Sequence, residues 1–272
     1  MQKPFRASED SIKKGKWWDL GWSLVEGCQT VDLSCQNCWA RQQAQIRRNQ
    51  QNPKVRNRYT AVVDNAGCWT TRIMPQWSDL NRPLRRKKPA VWSIWNDFFA
   101  EELPIDFQEA AIVAMLHSFK HSFLILTKRI ERAAVVLRLL EKADLWPLPN
   151  VGVGVSVPTQ EFAWRIDHLF KIPAAMRFVS AEPLLSGLDL RRHLDDGHPT
   201  GKRLDWVICG PETGRHRRPT RIEHVSDLLD QCVCRGVPFF LKALEIDGRV
   251  NKLPELHNRL WDQTPRGPFV VL

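Results

Sequence analysis

The residues of this chain best suited to chemistry lie in one stretch, Gly27-Cys28-Gln29-Thr30-Val31-Asp32-Leu33-Ser34-Cys35-Gln36-Asn37-Cys38-Trp39-Ala40. Three of the seven cysteines fall within eleven residues, with six residues between the first two and two between the last pair. A pair spaced like Cys35 and Cys38 can direct both sulfurs at one metal centre, and the longer loop can fold back to supply Cys28. Three thiolates suit an iron–sulfur cluster in which one iron has no protein ligand. Structural zinc normally takes four protein ligands, so a zinc reading must find a fourth. Cys68 lies thirty residues beyond Cys38, and Cys232 and Cys234 are far downstream. His117 and His121 could in principle close a zinc site, although nothing in their spacing ties them to Cys38. Cluster, zinc site and incidental thiols are thus the three readings, and the spacing favours the first.

These residues need a scaffold, and the composition allows one. The 272 residues are 43% hydrophobic and 26% charged, ordinary for a globular protein with a substantial core. That length fits one α/β barrel or two smaller domains. No run approaches a membrane span, and Met1 to Lys16 lacks the apolar core of a signal peptide. The expectation is a cytoplasmic protein, acting as a monomer without a membrane. In that compartment cysteines serve as ligands or buried thiols rather than disulfides.

The net charge of +10 is unevenly spread. One cluster is Arg82-Pro83-Leu84-Arg85-Arg86-Lys87-Lys88, and a second is Arg215-His216-Arg217-Arg218-Pro219-Thr220-Arg221. Arg47 and Arg48, with Lys54, Arg56 and Arg58, make a third. Any one of them reads as a solvated loop. Together they point to a polyanion such as DNA or, second, RNA, bound in a salt-dependent way.

Asp19 to Val25 reads as a first strand that runs into the Gly27-Cys28 turn. Trp39 to Gln51 follows as a helix, which Asn52-Pro53 should end. The segment from about 53 to 90 reads as an irregular basic insertion within a single domain spanning 1–272. From there apolar strands recur at 90–95, 121–127, 150–157, 176–180, 204–209 and 236–241. Helices are expected at 107–119, 130–142, 159–170 and 223–235. Seven short strands, most followed by a helix, mean repeated β–α units and a parallel sheet. The count predicts a complete or partial (β/α) barrel, with its chemistry at the carboxyl ends of the strands. The three-cysteine loop falls on that face, as do Asn96, Asp97, Thr127, Lys128, Ser156, Glu182, Glu212 and Lys242. Asp97 and Ser156 also read as helix caps. Glu182 and Lys242 need a partner or a ligand at a barrel mouth.

A three-cysteine loop after the first strand of such a barrel resembles the radical S-adenosylmethionine (radical SAM) enzymes. More closely, the chain resembles a phage-associated three-cysteine-motif family of that type. The shared landmarks are Gly27-Cys28 to Cys38-Trp39-Ala40, Pro83-Leu84-Arg85, Asn96-Asp97-Phe98-Phe99 and Leu126-Thr127-Lys128-Arg129. They continue with Asn150-Val151, Gly154-Val155-Ser156-Val157, Arg177 to Leu185, Asp205-Trp206-Val207-Ile208, Gly214 and Val237 to Lys242. The likeness is collinear over about residues 17 to 244. The chain departs from the commonest radical enzymes in its six-residue first gap and in Asn37, which stands before Cys38 where they carry an aromatic. Pro211 stands where this family more often has glycine.

The resemblance implies that Cys28, Cys35 and Cys38 ligate a 4Fe-4S cluster whose remaining iron binds the amino and carboxylate groups of S-adenosyl-L-methionine. One electron, from a donor such as flavodoxin or ferredoxin, would then yield a 5′-deoxyadenosyl radical. Asn96 and Asp97 are the candidates for the methionine ammonium, Ser156 for a ribose hydroxyl, and Glu182 for a ribose or the ammonium. Lys128, Arg129 and Lys242 are candidates for the methionine carboxylate or a substrate phosphate. Thr127 and Glu212 join this cofactor-binding set, and Glu182 and Lys242 are the catalytic candidates. Trp39 packs on the cluster or touches ligand. Cys68, Cys209, Cys232 and Cys234 read as buried thiols. Nucleic acid contacts are expected from Arg47, Arg48, Arg85, Arg86, Lys87, Lys88, Arg215, Arg217 and Arg218. The leading expectation is rearrangement or elaboration of a modified thymine in phage DNA, ahead of photoproduct repair. A non-catalytic zinc or iron–sulfur binding module and a radical enzyme acting on a peptide or small molecule are the competing classes.

Overall fold

The structure is a computed structural model that describes residues 5–214 and 216–265. In chain order, α1 is Glu9–Ile12, β1 is Leu20–Trp22 and β2 is Val25–Glu26. Next come α2 (Trp39–Arg48), α3 (Pro53–Thr60), β3 (Met74–Pro75) and α4 (Arg82–Arg85). The repeating part is β4 (Val91–Ile94), α5 (Ile105–Leu116), β5 (Ser122–Thr127), α6 (Ile130–Lys142), β6 (Val151–Ser156) and α7 (Trp164–Leu169). It continues through β7 (Met176–Ala181), α8 (Arg191–Leu194), β8 (Trp206–Cys209), α9 (Ile222–Arg235) and β9 (Phe239–Leu241). Four short strands follow: β10 (Ala243–Ile246), β11 (Arg249–Lys252), β12 (Glu255–Leu256) and β13 (Arg259–Leu260).

Seven strands pair in the order β1-β4-β5-β6-β7-β8-β9, all parallel. The curled sheet is a half-barrel, so of the two expected forms the partial one is found. Side chains alternate between its faces, as the two-residue period of a strand requires. Val91, Leu124, Met176, Phe178, Trp206, Ile208 and Phe240 point to the concave face. Trp92, Phe123, Ile125, Val153, Val179 and Val207 point outward, into the layer shared with the helices. The Gly-Val-Gly-Val run of β6 has a steric cause. A Cβ on Gly154 would sit 2.4 Å from a Phe178 ring carbon, and one on Gly152 would sit 2.5 Å from the Met176 methyl.

The concave face is filled by the chain's own amino-terminal segment. Phe5, Ala7, Ile12 and Trp17 are buried there, and Trp17 meets Phe178 and Trp206 edge-on with ring centroids 5.8 and 6.1 Å away. Arg6 pairs with Asp262 at 3.0 Å, and Asp262 bridges to Phe240 of β9. At the other end, the Asp19 backbone N–H donates to the Val91 carbonyl at 2.8 Å. The segment therefore runs from one edge of the sheet to the other, across the opening that the seven strands leave.

Three local expectations need correction. The first strand splits in two, and β2 leaves the barrel to pair antiparallel with β3. The stretch from 53 to 90 is not irregular throughout. The helix before it stops at Arg48, short of Asn52-Pro53, and the Asn52 side chain instead accepts from the Lys54 N–H at 3.0 Å and starts α3, with Pro53 in the first turn. Beyond Lys242 the chain forms two hairpins that its polar, turn-rich sequence did not announce.

Candidate functional site

The cysteine loop begins where glycine is required. Gly27 has φ +89°, and a Cβ there would fall 2.1 Å from the Arg72 carbonyl oxygen. Inside the six-residue gap, Asp32 organises the rest. Its carboxylate accepts from the Ser34 N–H at 2.9 Å and the Ser34 hydroxyl at 2.6 Å, capping the 3-10 turn Leu33–Cys35. It also pairs with Arg165 of α7 at 2.8 Å and with Lys128 at 3.1 Å, while the Asp32 side chain has no solvent exposure. Burial pushes this carboxyl up, but Lys128, Ser34 and Arg165 outweigh it and hold the pKa at about 2. Arg165 donates from the same nitrogen to the Ser156 carbonyl at 2.8 Å, so the loop is fastened to the end of β6.

Two further ties complete the seating. Asn37 donates to Glu212 and to the His216 carbonyl, both at 2.8 Å. Arg129 reaches the Gln29 side-chain oxygen at 3.3 Å. The Cys35 sulfur accepts from the Lys128 ammonium at 3.2 Å. Burial would lower the Lys128 pKa, but Cys35 and Asp32 beside it reverse the shift and keep it charged. Burial, with Asp97 adding to it, pushes the Cys28 thiol up to about 12. Cys28 is therefore protonated until a metal displaces that proton.

One cavity at the carboxyl end of the sheet is lined by Cys28, Cys35 and Cys38. It is also lined by every strand-end residue expected from the sequence: Asn96, Asp97, Thr127, Lys128, Ser156, Glu182, Glu212 and Lys242. Their states differ, and this separates brackets from binding groups. The Asp97 carboxylate is fully engaged, accepting from Phe99 N–H (3.0 Å), the Thr127 hydroxyl (2.7 Å), Lys128 N–H (3.3 Å) and Arg129 (3.0 Å). Glu212 is engaged too. Burial alone would raise its pKa, yet Arg218 and Asn37 hold it below the usual range. Asp97 and Glu212 therefore secure loops, and Asp97 is not free to hold an ammonium. Asp97 does not cap α5, whose first turn follows Pro104, and Ser156 caps no helix.

Among the residues that line the cavity, Ser156 and Asn96 each have a buried oxygen, Oγ and Oδ1, with neither a hydrogen bond nor an ion pair. Asn96 adopts φ +58°, a left-handed conformation that asparagine tolerates better than most residues, and its amide nitrogen donates to the Val25 carbonyl at 2.8 Å. Glu182 pairs with Lys242 at 2.6 Å across the mouth and accepts from Ser180 (3.0 Å) and Trp17 (3.2 Å). The sequence reading missed Asp32, Asn37, Arg165 and Trp17. Asp32 and Asn37 carried a signal, being polar residues inside the motif. Arg165 sits on a helix and is brought in only by the fold.

The two histidines considered as a fourth zinc ligand lie away from the cysteines. His121 Nδ1 accepts from the Ala90 N–H at 3.1 Å and its Nε2 faces the Pro83 carbonyl at 3.1 Å, at the amino end of the sheet. Burial pushes the His121 pKa down, as a neutral ring with both nitrogens occupied requires. His117 lines a groove on the outer side of α5. Among the described residues, the metal-ligand atoms that converge within 4.8 Å belong to Asp167, His193 and His198, not to the cysteines. In the histidine group, Arg192 occupies Asp167 at 2.6 Å and His193 Nε2 at 3.2 Å, a cation where a metal would go.

The basic clusters divide. Arg47 lies 3.8 Å over the Trp95 ring, and Arg48 holds the Val63 carbonyl at 2.9 Å. Arg217 pairs with Glu245 at 3.0 Å, and Arg218 with Glu212. These four brace the structure. Arg215 lies outside the described residues. Arg85, Arg86, Lys87 and Lys88 directly precede β4, so they sit at the amino end of the sheet. They do not surround the mouth as expected.

Fold and site together define a class, a parallel half-barrel that carries a three-cysteine loop at the carboxyl end of its first strand. Over residues 13–265 the chain matches the family described as "Protein of unknown function (DUF5131)", and it belongs to that family. No curated protein and no solved structure matches it.

Proposed function

We propose that this chain is a radical SAM iron–sulfur enzyme that modifies a base in nucleic acid. The observation that carries the reading is one cavity. Cys28, Cys35 and Cys38 line it together with the Glu182–Lys242 pair and with Ser156 and Asn96, each of which has a buried, unpartnered side-chain oxygen. The donor set fits the cofactors. Three soft thiolates suit a 4Fe-4S cluster with one open iron, and the two orphaned oxygens offer acceptors where a cofactor ammonium or hydroxyl would need them. When bound and reduced by one electron from a flavodoxin- or ferredoxin-like donor, these cofactors supply a carbon radical able to remove hydrogen from an unactivated carbon.

The chain's own residues bind, orient and exclude. Cys28, Cys35 and Cys38 hold the cluster, and Lys128 donates to the Cys35 sulfur. Asn96 and Ser156 would hold the cofactor's polar groups, and Glu182 and Lys242, at the ends of β7 and β9, would line the same pocket. Asp97, Thr127, Arg129 and Glu212 keep those strand ends in place. Trp17 and the amino-terminal segment below it fill the concave face and keep water from entering beneath. A base must leave its stack to reach such a pocket, at a cost of a few kcal/mol. Radical chemistry suits a thymine methyl or a substituent already attached there, so rearrangement or elaboration of a modified thymine in phage DNA is the substrate reading, ahead of photoproduct repair.

Anaerobic reconstitution with iron and sulfide, followed by dithionite and S-adenosyl-L-methionine, should release 5′-deoxyadenosine. Glu182→Gln should keep its iron but slow that release by about tenfold or more, as expected when an oriented charge is removed from a dry site. Unchanged release by this variant would make Glu182 a structural residue.

A further inference from the structure

The strongest unassigned feature is a basic rim that the linear sequence did not reveal. Gly15 packs against the end of β9, where a Cβ would fall 2.6 Å from the Lys242 carbonyl oxygen and 3.1 Å from Lys252 Cβ. Lys14 and Lys16 flank that glycine and are exposed. Lys252 is exposed and stands opposite Ala243 in the β10–β11 hairpin, next to Lys242 of the cavity. Arg249 is exposed near the tip of the same hairpin, paired in register with Ile246. Four cations thus run from the amino-terminal segment along the hairpin, on the side of the sheet where the cavity opens. The acidic groups nearby do not cancel them. Glu245 is already paired with Arg217, Glu182 with Lys242 and Glu9 with Arg6, which leaves Asp10 on α1 and Asp247 at the hairpin turn against four cations.

Aromatic rings line the cavity that this rim borders. Trp18 and Trp39 line the cavity, Trp39 is 42% exposed, and its ring meets Trp95 edge-on at 5.3 Å. Cations that track a backbone next to rings on which bases can stack are the two components of single-strand nucleic acid recognition. An acidic protein would use the cations without the rings, and a lipid surface would use rings that project from the molecule rather than line a cavity. The other exposed basic run, Arg85 to Lys88, lies at the opposite end of a sheet whose central strands are only four to six residues long.

We propose that Lys14, Lys16, Arg249 and Lys252 form the track for the phosphodiester backbone of a single nucleic acid strand, which delivers a base to the cavity. This deepens the nucleic acid reading above and rests on it for the identity of the substrate. The test compares the reconstituted full chain with two variants, Lys14→Gln/Lys16→Gln/Arg249→Gln/Lys252→Gln and Arg85→Gln/Arg86→Gln/Lys87→Gln/Lys88→Gln. Fluorescent single-stranded DNA and RNA oligonucleotides are titrated across a salt series and read by anisotropy.

The rim variant should bind about tenfold or more weakly, with the slope of log K against log salt shallower by about 2 to 3, since each single-strand phosphate contact contributes about 0.7. The amino-end variant should bind within about twofold of wild type. Equal losses in both variants, or a loss confined to the amino-end variant, would overturn the track. So would polyglutamate that competes as well as the oligonucleotides. Tighter binding of the RNA strand would keep the track and move the substrate to RNA. Iron content and uncoupled release of 5′-deoxyadenosine are measured on the same samples. Their persistence in a wild-type protein that binds no strand would remove the track and leave the radical reading standing.

Discussion

Asp32 shows how much one residue inside the three-cysteine loop can do besides spacing the cysteines. It caps the turn that carries Cys35 and holds both Arg165 and Lys128 out of solvent. Removing one partner of a buried charge pair typically costs about 3–5 kcal/mol, because the other charge remains buried. Asp32→Asn should therefore lose stability of that order, and the loss should depend on pH in a fixed direction. The folded-state pKa of Asp32, about 2, lies below the ordinary carboxylate value of about 4. Its stabilisation is thus fully present above about pH 4 and fades as pH falls through about 2. Denaturant unfolding of wild type and variant at pH 6 and at pH 3 should show the gap narrowing at the lower pH. A gap that widens on acidification would mean that the carboxylate is not held ionised by its partners. The same contacts explain why the long first gap of the motif does not leave the cysteines loose.

Elements were legible where period and length agreed. The seven strands and the helices between them stand close to where alternation and helix-forming runs put them, because a buried parallel strand has few ways to look other than apolar and short. Boundaries failed where a stop signal proved to be a start, as at Asn52-Pro53, which opens α3 after α2 has already ended at Arg48. The hairpins after Lys242 were hidden by their polarity, since both are largely exposed. The site was legible as far as its strand ends. All the expected cofactor residues line one cavity, but which of them are free to bind was not readable. Asp97 and Asn96 are neighbours in sequence, and only their partners in space make one a bracket and leave the other an open acceptor. The glycines of β6 carry the prediction at this scale. Gly154→Ala should cost about 1–3 kcal/mol by overpacking against Phe178, whose ring is wedged between Trp17 and Trp206. The double variant Gly154→Ala/Phe178→Leu should fall short of the sum of the two single costs when measured by urea midpoint. Strict additivity would mean that the two side chains do not share that space.

At the scale of the whole molecule, the amino-terminal segment changes the meaning of the fold. Seven strands leave the barrel open, and residues 5–17 cross that opening, so one end of the concave face is dry core and the other is the cavity. The same arrangement places charge clusters that look equivalent in sequence at opposite ends of the sheet. Periodicity reports which face a residue takes within its strand. Which end of the molecule a loop occupies follows from the order of the strands.

The central claim is that the three sulfurs hold a cluster with one open iron. Its most direct test is iron and sulfide analysis of the anaerobically reconstituted chain, with electron paramagnetic resonance of the reduced sample before and after S-adenosyl-L-methionine is added. The account predicts about four irons and four sulfides per chain, lost in Cys28→Ala, Cys35→Ala and Cys38→Ala but kept in Cys68→Ala and Cys232→Ala. It also predicts a reduced-cluster signal whose shape changes when the cofactor is added. One zinc per chain, full iron in any of the three motif variants, or a signal indifferent to the cofactor would contradict it.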